Sequence, residues 1–109
     1  MHRLAAGILI VGLTAGATAP VLAEDAAVTK GRAVFEAQKC TMCHSVDGKG
    51  NTNKPLDGVG STLKPEEIRK WISSPKEMKA DTRMKAYPSL PAEDLDALVA
   101  YVSSLKKKA

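Results

Sequence analysis

The chain has 109 residues, a formal net charge of +4 and 26% charged residues. Such a mild basic excess argues against nucleic-acid binding, which requires a dense basic face, and the length allows one small domain. Only four aromatic residues, one Phe, one Trp and two Tyr, are available, so an apolar core formed by this chain alone would be marginal. We therefore expect a bound apolar group to contribute to the core.

The N-terminal segment is predicted to be a secretory signal peptide, residues 1–23. A short basic start precedes residues 4–23, which carry no charge, and Val21-Leu22-Ala23 supplies a small-residue cleavage site before Glu24. An uncleaved membrane anchor is the competing interpretation, because the uncharged stretch has about the length that spans a bilayer. Its Gly, Thr, Ala and Pro content favours cleavage, which would leave residues 24–109 as an exported, periplasmic domain without a membrane segment.

The first helix of this domain is predicted from about Ala26 to Lys39, with Asp25 as its cap. Val28, Gly31 and Phe35 fall on one face of it. A glycine inside a helix costs about 1 kcal/mol relative to alanine. We interpret Gly31 as the point where another helix passes close by, with a tolerated weak spot as the alternative.

The sequence Cys40-Thr41-Met42-Cys43-His44 follows that helix and predicts covalent attachment of a c-type heme. Each thiol would add to one vinyl group, and His44 would bind the iron as the proximal ligand. A redox disulfide needs a strand–helix–strand setting, which the sequence does not predict. A closed zinc site needs four ligands, and His2 is the only other histidine.

The remaining chain is predicted to be helical segments separated by loops, with no strand. Residues 45–64 are rich in Gly, Asn and Asp and are predicted to be loop. A helix follows over Pro65–Ser73, with Pro75 ending it, and residues 75–90 form a second loop. The last helix begins near Pro91, has an apolar stripe that includes Leu98, and ends in a lysine-rich tail.

A series of features in chain order resembles the small bacterial class I c-type cytochromes. They are Gly31 and Phe35 before the Cys40–His44 turn, Pro55-Leu56-x-Gly58-Val59-Gly60, Trp71-Ile72-x-x-Pro75, Thr82-Arg83-Met84 before Tyr87-Pro88, and Leu98-x-x-Tyr101. The similarity covers residues 25–106. It implies an all-α fold wrapped around one covalent heme, with the first and last helices crossing, and function as a one-electron carrier.

The second axial ligand is predicted to be a methionine. Met42 lies within the attachment turn on the proximal side, so Met78 and Met84 remain, both in the second loop, with a lysine of that loop as a weaker option. The resemblance favours Met84, because the family has a Thr-Lys-Met segment before an aromatic-Pro pair. His/Met ligation raises the reduction potential relative to more basic ligand pairs.

The resemblance also implies the groups that surround the ligands. The carbonyl of Pro55 would accept a hydrogen bond from the ring N–H of His44 and fix its orientation. The indole of Trp71 would donate to a heme propionate, the alternative being an ordinary core tryptophan. Tyr87 is a second candidate donor to a propionate.

We expect a monomer that exchanges electrons with redox partner proteins. Five basic residues fall in segments expected to frame the heme edge: Lys39, Lys49, Lys79, Arg83 and Lys85. They would steer an acidic docking surface, although an ordinary solvated surface is the alternative for each. No catalytic acid, base or nucleophile is implied, so we expect a carrier and not an enzyme. Two alternatives stay open, a heme subunit of a larger redox enzyme, and a gas-binding or peroxidase-like protein with an open distal site.

Overall fold

The computed structural model describes residues 22–108 together with the isolated positions Gly12 and Gly16. The predicted signal peptide therefore lies almost entirely outside the described residues. Within them, no helix combines the length and the apolar character that crossing a bilayer requires.

The described chain is mostly helical. Its five helices are α1 (Leu22–Ala37), α2 (Val59–Thr62), α3 (Pro65–Ser73), α4 (Pro75–Met78) and α5 (Ala92–Ser103). A 3-10 turn, Cys40–Met42, follows α1, and two short strands, β1 (Ser45–Val46) and β2 (Lys49–Gly50), form an antiparallel hairpin.

The crossing of α1 and α5 is the most extensive contact between elements. It is closest at Gly31, where a β-carbon would overlap the backbone carbonyl oxygen of Ala97. One helical turn later, the rings of Phe35 and Tyr101 pack edge to face with centroids 5.4 Å apart. The predicted close approach at Gly31 is confirmed, because only a residue without a side chain fits between these two backbones.

The core lies where α3 packs against the crossed pair. Its buried side chains come from all three helices and are Val34, Phe35, Ile68, Ile72, Leu98, Val99, Tyr101 and Val102. The helix predicted over Pro65–Ser73 is confirmed at both ends. Proline suits its first position, and the Glu67 carboxylate accepts a hydrogen bond from the Lys64 backbone N–H at 3.1 Å.

Four predictions of local structure were wrong in detail. Helix α1 begins at Leu22, so Asp25 lies inside it, since Leu22, Ala23 and Glu24 are themselves good helix formers. The loop over residues 45–64 contains the β1–β2 hairpin and the single turn α2, and Pro75 starts α4 where continuous loop was expected. These elements are too short for hydrophobic periodicity to reveal.

The C-terminal lysine segment has contacts that a purely solubilising tail would not make. The Lys106 ammonium donates to the carbonyl oxygen of Gly60 at 2.6 Å, and the Lys107 backbone N–H donates to Ser61 Oγ at 2.8 Å. Gly60 N–H in turn donates to the Leu105 carbonyl at 2.9 Å. The segment after α5 is therefore held against α2 by hydrogen bonds.

Candidate heme site

The Cys40–His44 segment forms a compact turn directly after α1. Lys39 adopts a left-handed conformation, with φ 57° and ψ 37°, and redirects the chain out of the helix. The Cys40 carbonyl then accepts hydrogen bonds from Cys43 N–H at 3.2 Å and from His44 N–H at 2.9 Å. Both cysteines are free thiols, Cys40 half-buried and Cys43 exposed. The turn thus presents two thiols and an imidazole within five residues.

The imidazole of His44 is oriented by the main chain of a distant segment. Its Nδ1 lies 3.1 Å from the carbonyl oxygen of Lys54, where it can donate a hydrogen bond. That contact leaves Nε2 as the nitrogen available to a metal.

The prediction that Pro55 provides this carbonyl was wrong by one residue. Pro55 forms a parallel bridge with Ser45, in which Ser45 N–H donates to the Lys54 carbonyl at 3.3 Å and Leu56 N–H donates to the Ser45 carbonyl at 2.8 Å. This pattern turns the carbonyl before Pro55 toward Ser45 and the adjacent His44. Pro55 itself is exposed and contributes by holding the register of the bridge.

A largely apolar cavity of about 340 Å³ opens above the turn. Cys40 and His44 line one side of it, and its apolar walls include Leu56, Val59, Leu63, Ile68, Leu98 and Val102. Cavities of about 300–1,000 Å³ with apolar walls and a few polar groups are typical cofactor sites. Cys43 is not among the lining residues and lies at the exposed rim of the turn.

The two methionines considered as the second ligand differ in position. Met84 is half-buried and lines the same cavity as His44, whereas Met78 ends α4 and is not a lining residue. The Met84 backbone N–H donates to Thr82 Oγ1 at 3.2 Å, which tightens the segment that carries it. Met42 is 70% exposed, outside the cavity. Of the three, Met84 alone has its side chain at the cavity, although its role as a ligand stays a prediction.

Trp71 and Tyr87 are both half-buried beside the cavity, but only Trp71 lines it. The Tyr87 hydroxyl instead faces the Gln38 carbonyl at 3.5 Å, and its backbone N–H donates to the Ile72 carbonyl at 2.9 Å. Tyr87 thereby connects its loop to Gln38, directly after α1, and to α3.

Burial raises the pKa of the Cys40 thiol, and the nearby Cys43 adds to the shift while a backbone hydrogen bond opposes it. Burial also raises the pKa of the Tyr87 hydroxyl, with smaller contributions from both thiols. Cys40 and Tyr87 are therefore neutral at neutral pH.

The residues present fit a heme. The imidazole has Nδ1 paired, the Met84 thioether lines the same cavity, and the other walls are largely aliphatic and aromatic. A zinc site fits less well, because no cluster of three His, Cys, Asp or Glu side chains forms within residues 22–108.

Residues 28–106 match the family model for cytochrome c. The chain belongs to the cytochrome c family. Membership confirms the all-α cytochrome c fold expected from the sequence, and it assigns heme binding and heme-based electron transfer with redox partners to this protein. The cytochrome is also 36% identical over 86 residues to cytochrome c oxidase subunit 2 of Alkalihalophilus pseudofirmus. That match covers 71% of this chain and 25% of the relative, so the chain spans about a quarter of the relative's length.

The sequence alone does not identify two residues of the site. Lys54 contributes through its carbonyl, which every residue possesses, so residue type gives no signal for it. Asn51 contacts the attachment turn through its side chain and its backbone. The run of polar residues from 51 to 54 predicts only a loop, and its contact with the turn depends on the hairpin register.

Proposed function

We propose that this cytochrome is a periplasmic one-electron carrier with one covalently attached heme c, bound through Cys40 and Cys43 and ligated by His44 and Met84. When bound, the heme supplies an iron that cycles between Fe(III) and Fe(II). The observation that carries the proposal is that His44 and Met84 line one cavity, with the His44 ring already oriented by the Lys54 carbonyl.

The chain's own groups suit a carrier in which little moves. The Lys54 carbonyl holds the imidazole in one orientation and increases its basicity as a ligand. The Met84 thioether is a soft, neutral donor that favours ferrous iron and would close the sixth position. The apolar walls exclude water, so charge introduced at the iron is weakly solvated.

The edges of the cavity supply polar groups for the heme periphery. Lys54, Trp71 and Lys79 line the cavity. These cations and the indole would pair with propionates. Lys39, Lys49, Arg83 and Lys85 are exposed, which supports their proposed role in steering an acidic redox partner.

A second candidate function is a fixed heme domain within a larger redox complex. The similarity to a protein named cytochrome c oxidase subunit 2 supports it. In that case the cytochrome would copurify with other subunits under native conditions. A free carrier would instead elute as a monomer and carry a mature N-terminus at Glu24, as the proposed signal cleavage requires.

Carbon monoxide binding to the reduced holoprotein tests the ligand assignment. We expect no change in the heme absorption spectrum of the unsubstituted protein, because Met84 occupies the sixth position. Met84→Ala should bind carbon monoxide readily, and Met78→Ala, the matched control, should not.

Three results would contradict parts of this proposal. Rapid binding by the unsubstituted protein would support the gas-binding or peroxidase-like alternative and remove Met84 as a ligand. Binding by Met78→Ala alone would transfer the assignment to Met78. Loss of the heme on acid–organic extraction would refute covalent attachment through Cys40 and Cys43.

A further inference from the structure

Asn51 connects the attachment turn to the segment that orients His44. Its Nδ2 donates to the Met42 carbonyl at 3.2 Å, and its Oδ1 accepts from the Asn53 backbone N–H at 3.0 Å. Since one partner only accepts and the other only donates, the side-chain amide has one satisfactory orientation. Asn51 therefore contacts both sides of the loop with one planar group.

The backbone of the same residue reinforces the contact. Asn51 N–H is shared between the Thr41 carbonyl at 3.0 Å and the His44 carbonyl at 3.2 Å. Gly50, at φ 104°, lies so close that a β-carbon there would overlap the His44 carbonyl oxygen. Residues 50–51 are thus packed against the Cys40–His44 turn.

The contacts continue to the ligand itself. The Asn51 side chain accepts a hydrogen bond from the Asn53 N–H, and the carbonyl of the following residue, Lys54, lies 3.1 Å from His44 Nδ1. We propose that Asn51 is a positioning residue that sets the strength of the His44–Lys54 hydrogen bond. This inference rests on the proposed heme ligation by His44.

A weaker hydrogen bond at Nδ1 has a predictable effect on the iron. The carbonyl makes the imidazole a more basic ligand, which favours Fe(III) and lowers the reduction potential. Loosening the loop removes part of that effect. Replacing Asn51 should therefore raise the reduction potential and expose the Nδ1 proton to exchange.

The experiment compares Asn51→Ala with Asn53→Ala in the purified holoprotein. Asn53 is a matched control, because it lies in the same exposed loop and only its backbone N–H takes part in the contact. Two quantities are measured: the reduction potential by redox titration, and the exchange rate of the His44 Nδ1 proton by NMR in the reduced protein.

Asn51→Ala should show a raised potential and about fivefold faster exchange, which corresponds to about 1 kcal/mol, the scale of one hydrogen bond. Asn53→Ala should match the unsubstituted protein in both. If Asn51→Ala does not yield holoprotein, Asn51→Ser, which keeps a shorter donor and acceptor, is measured in its place. Values equal to the control in the variant obtained would overturn the inference. Absence of covalent heme from the unsubstituted protein would instead refute the proposed function.

Discussion

Substituting alanine for Gly31 tests the closest contact in the fold. The new β-carbon would overlap the Ala97 carbonyl oxygen and lie 2.7 Å from the Ala97 carbonyl carbon and 2.5 Å from Tyr101 Cβ. These are backbone and Cβ atoms, which cannot rotate away. The only relief is a separation of α1 from α5, which would also loosen the Phe35–Tyr101 ring contact.

Two opposing effects set the magnitude. Alanine is a better helix former than glycine by about 1 kcal/mol, which would stabilise α1. Overpacking a close contact costs about 1–3 kcal/mol, and the upper value applies because the obstruction is backbone. The expected net loss is about 2 kcal/mol. For a domain of this size that lowers the melting temperature by about 8–16 °C.

Thermal and guanidinium unfolding of the holoprotein, followed by far-UV circular dichroism, measure the loss. Ala33→Gly is the matched control, since Ala33 is exposed in the same helix and the change isolates helix propensity. It should cost about 1 kcal/mol. If Gly31→Ala instead stabilised the protein by as much as Ala33→Gly destabilised it, the close crossing of the helices would be refuted.

Two further perturbations concern contacts at the surface. Lys106→Met keeps the aliphatic stem but removes the donor to the Gly60 carbonyl, and it should lower the free energy of unfolding in guanidinium by about 0.5–1.5 kcal/mol. Lys107→Met is the control, because the Lys107 ammonium makes no such contact, and it should leave the free energy of unfolding nearly unchanged. Equal effects of the two substitutions would contradict the role of Lys106. The hydrogen bond and charge of Lys30 lower the pKa of the Glu93 carboxyl, so the stability this pair contributes is present above the unfolded-state pKa of Glu93 and is lost as pH falls through its folded-state pKa. Glu93→Gln should therefore lose less stability on acidification than the unsubstituted protein, and identical pH profiles would show that the pair contributes nothing.

Features that depend on residues close together in the chain could be predicted from the sequence alone. The Cys40–His44 spacing predicts a heme-attachment turn, because it places two thiols and an imidazole where one porphyrin could meet all three. Helix α3 has its start and stop residues at its own ends. Gly31 predicted the helix crossing, because a glycine destabilises the interior of a helix and is explained by the close approach of a second helix.

The tertiary structure decided the contacts that join distant segments. Residue type cannot indicate that the Lys54 carbonyl, and not that of Pro55, faces His44, because every carbonyl is alike and the bridge register selects one of them. Likewise, Met78 and Met84 are the same residue type, and the resemblance alone favoured Met84. In the structure Met78 ends α4, whereas Met84 lines the cavity. The sequence determined which chemical groups this cytochrome possesses, whereas the packing of its loops determined which of them reach the heme site, since that depends on hydrogen bonds between segments far apart in the chain.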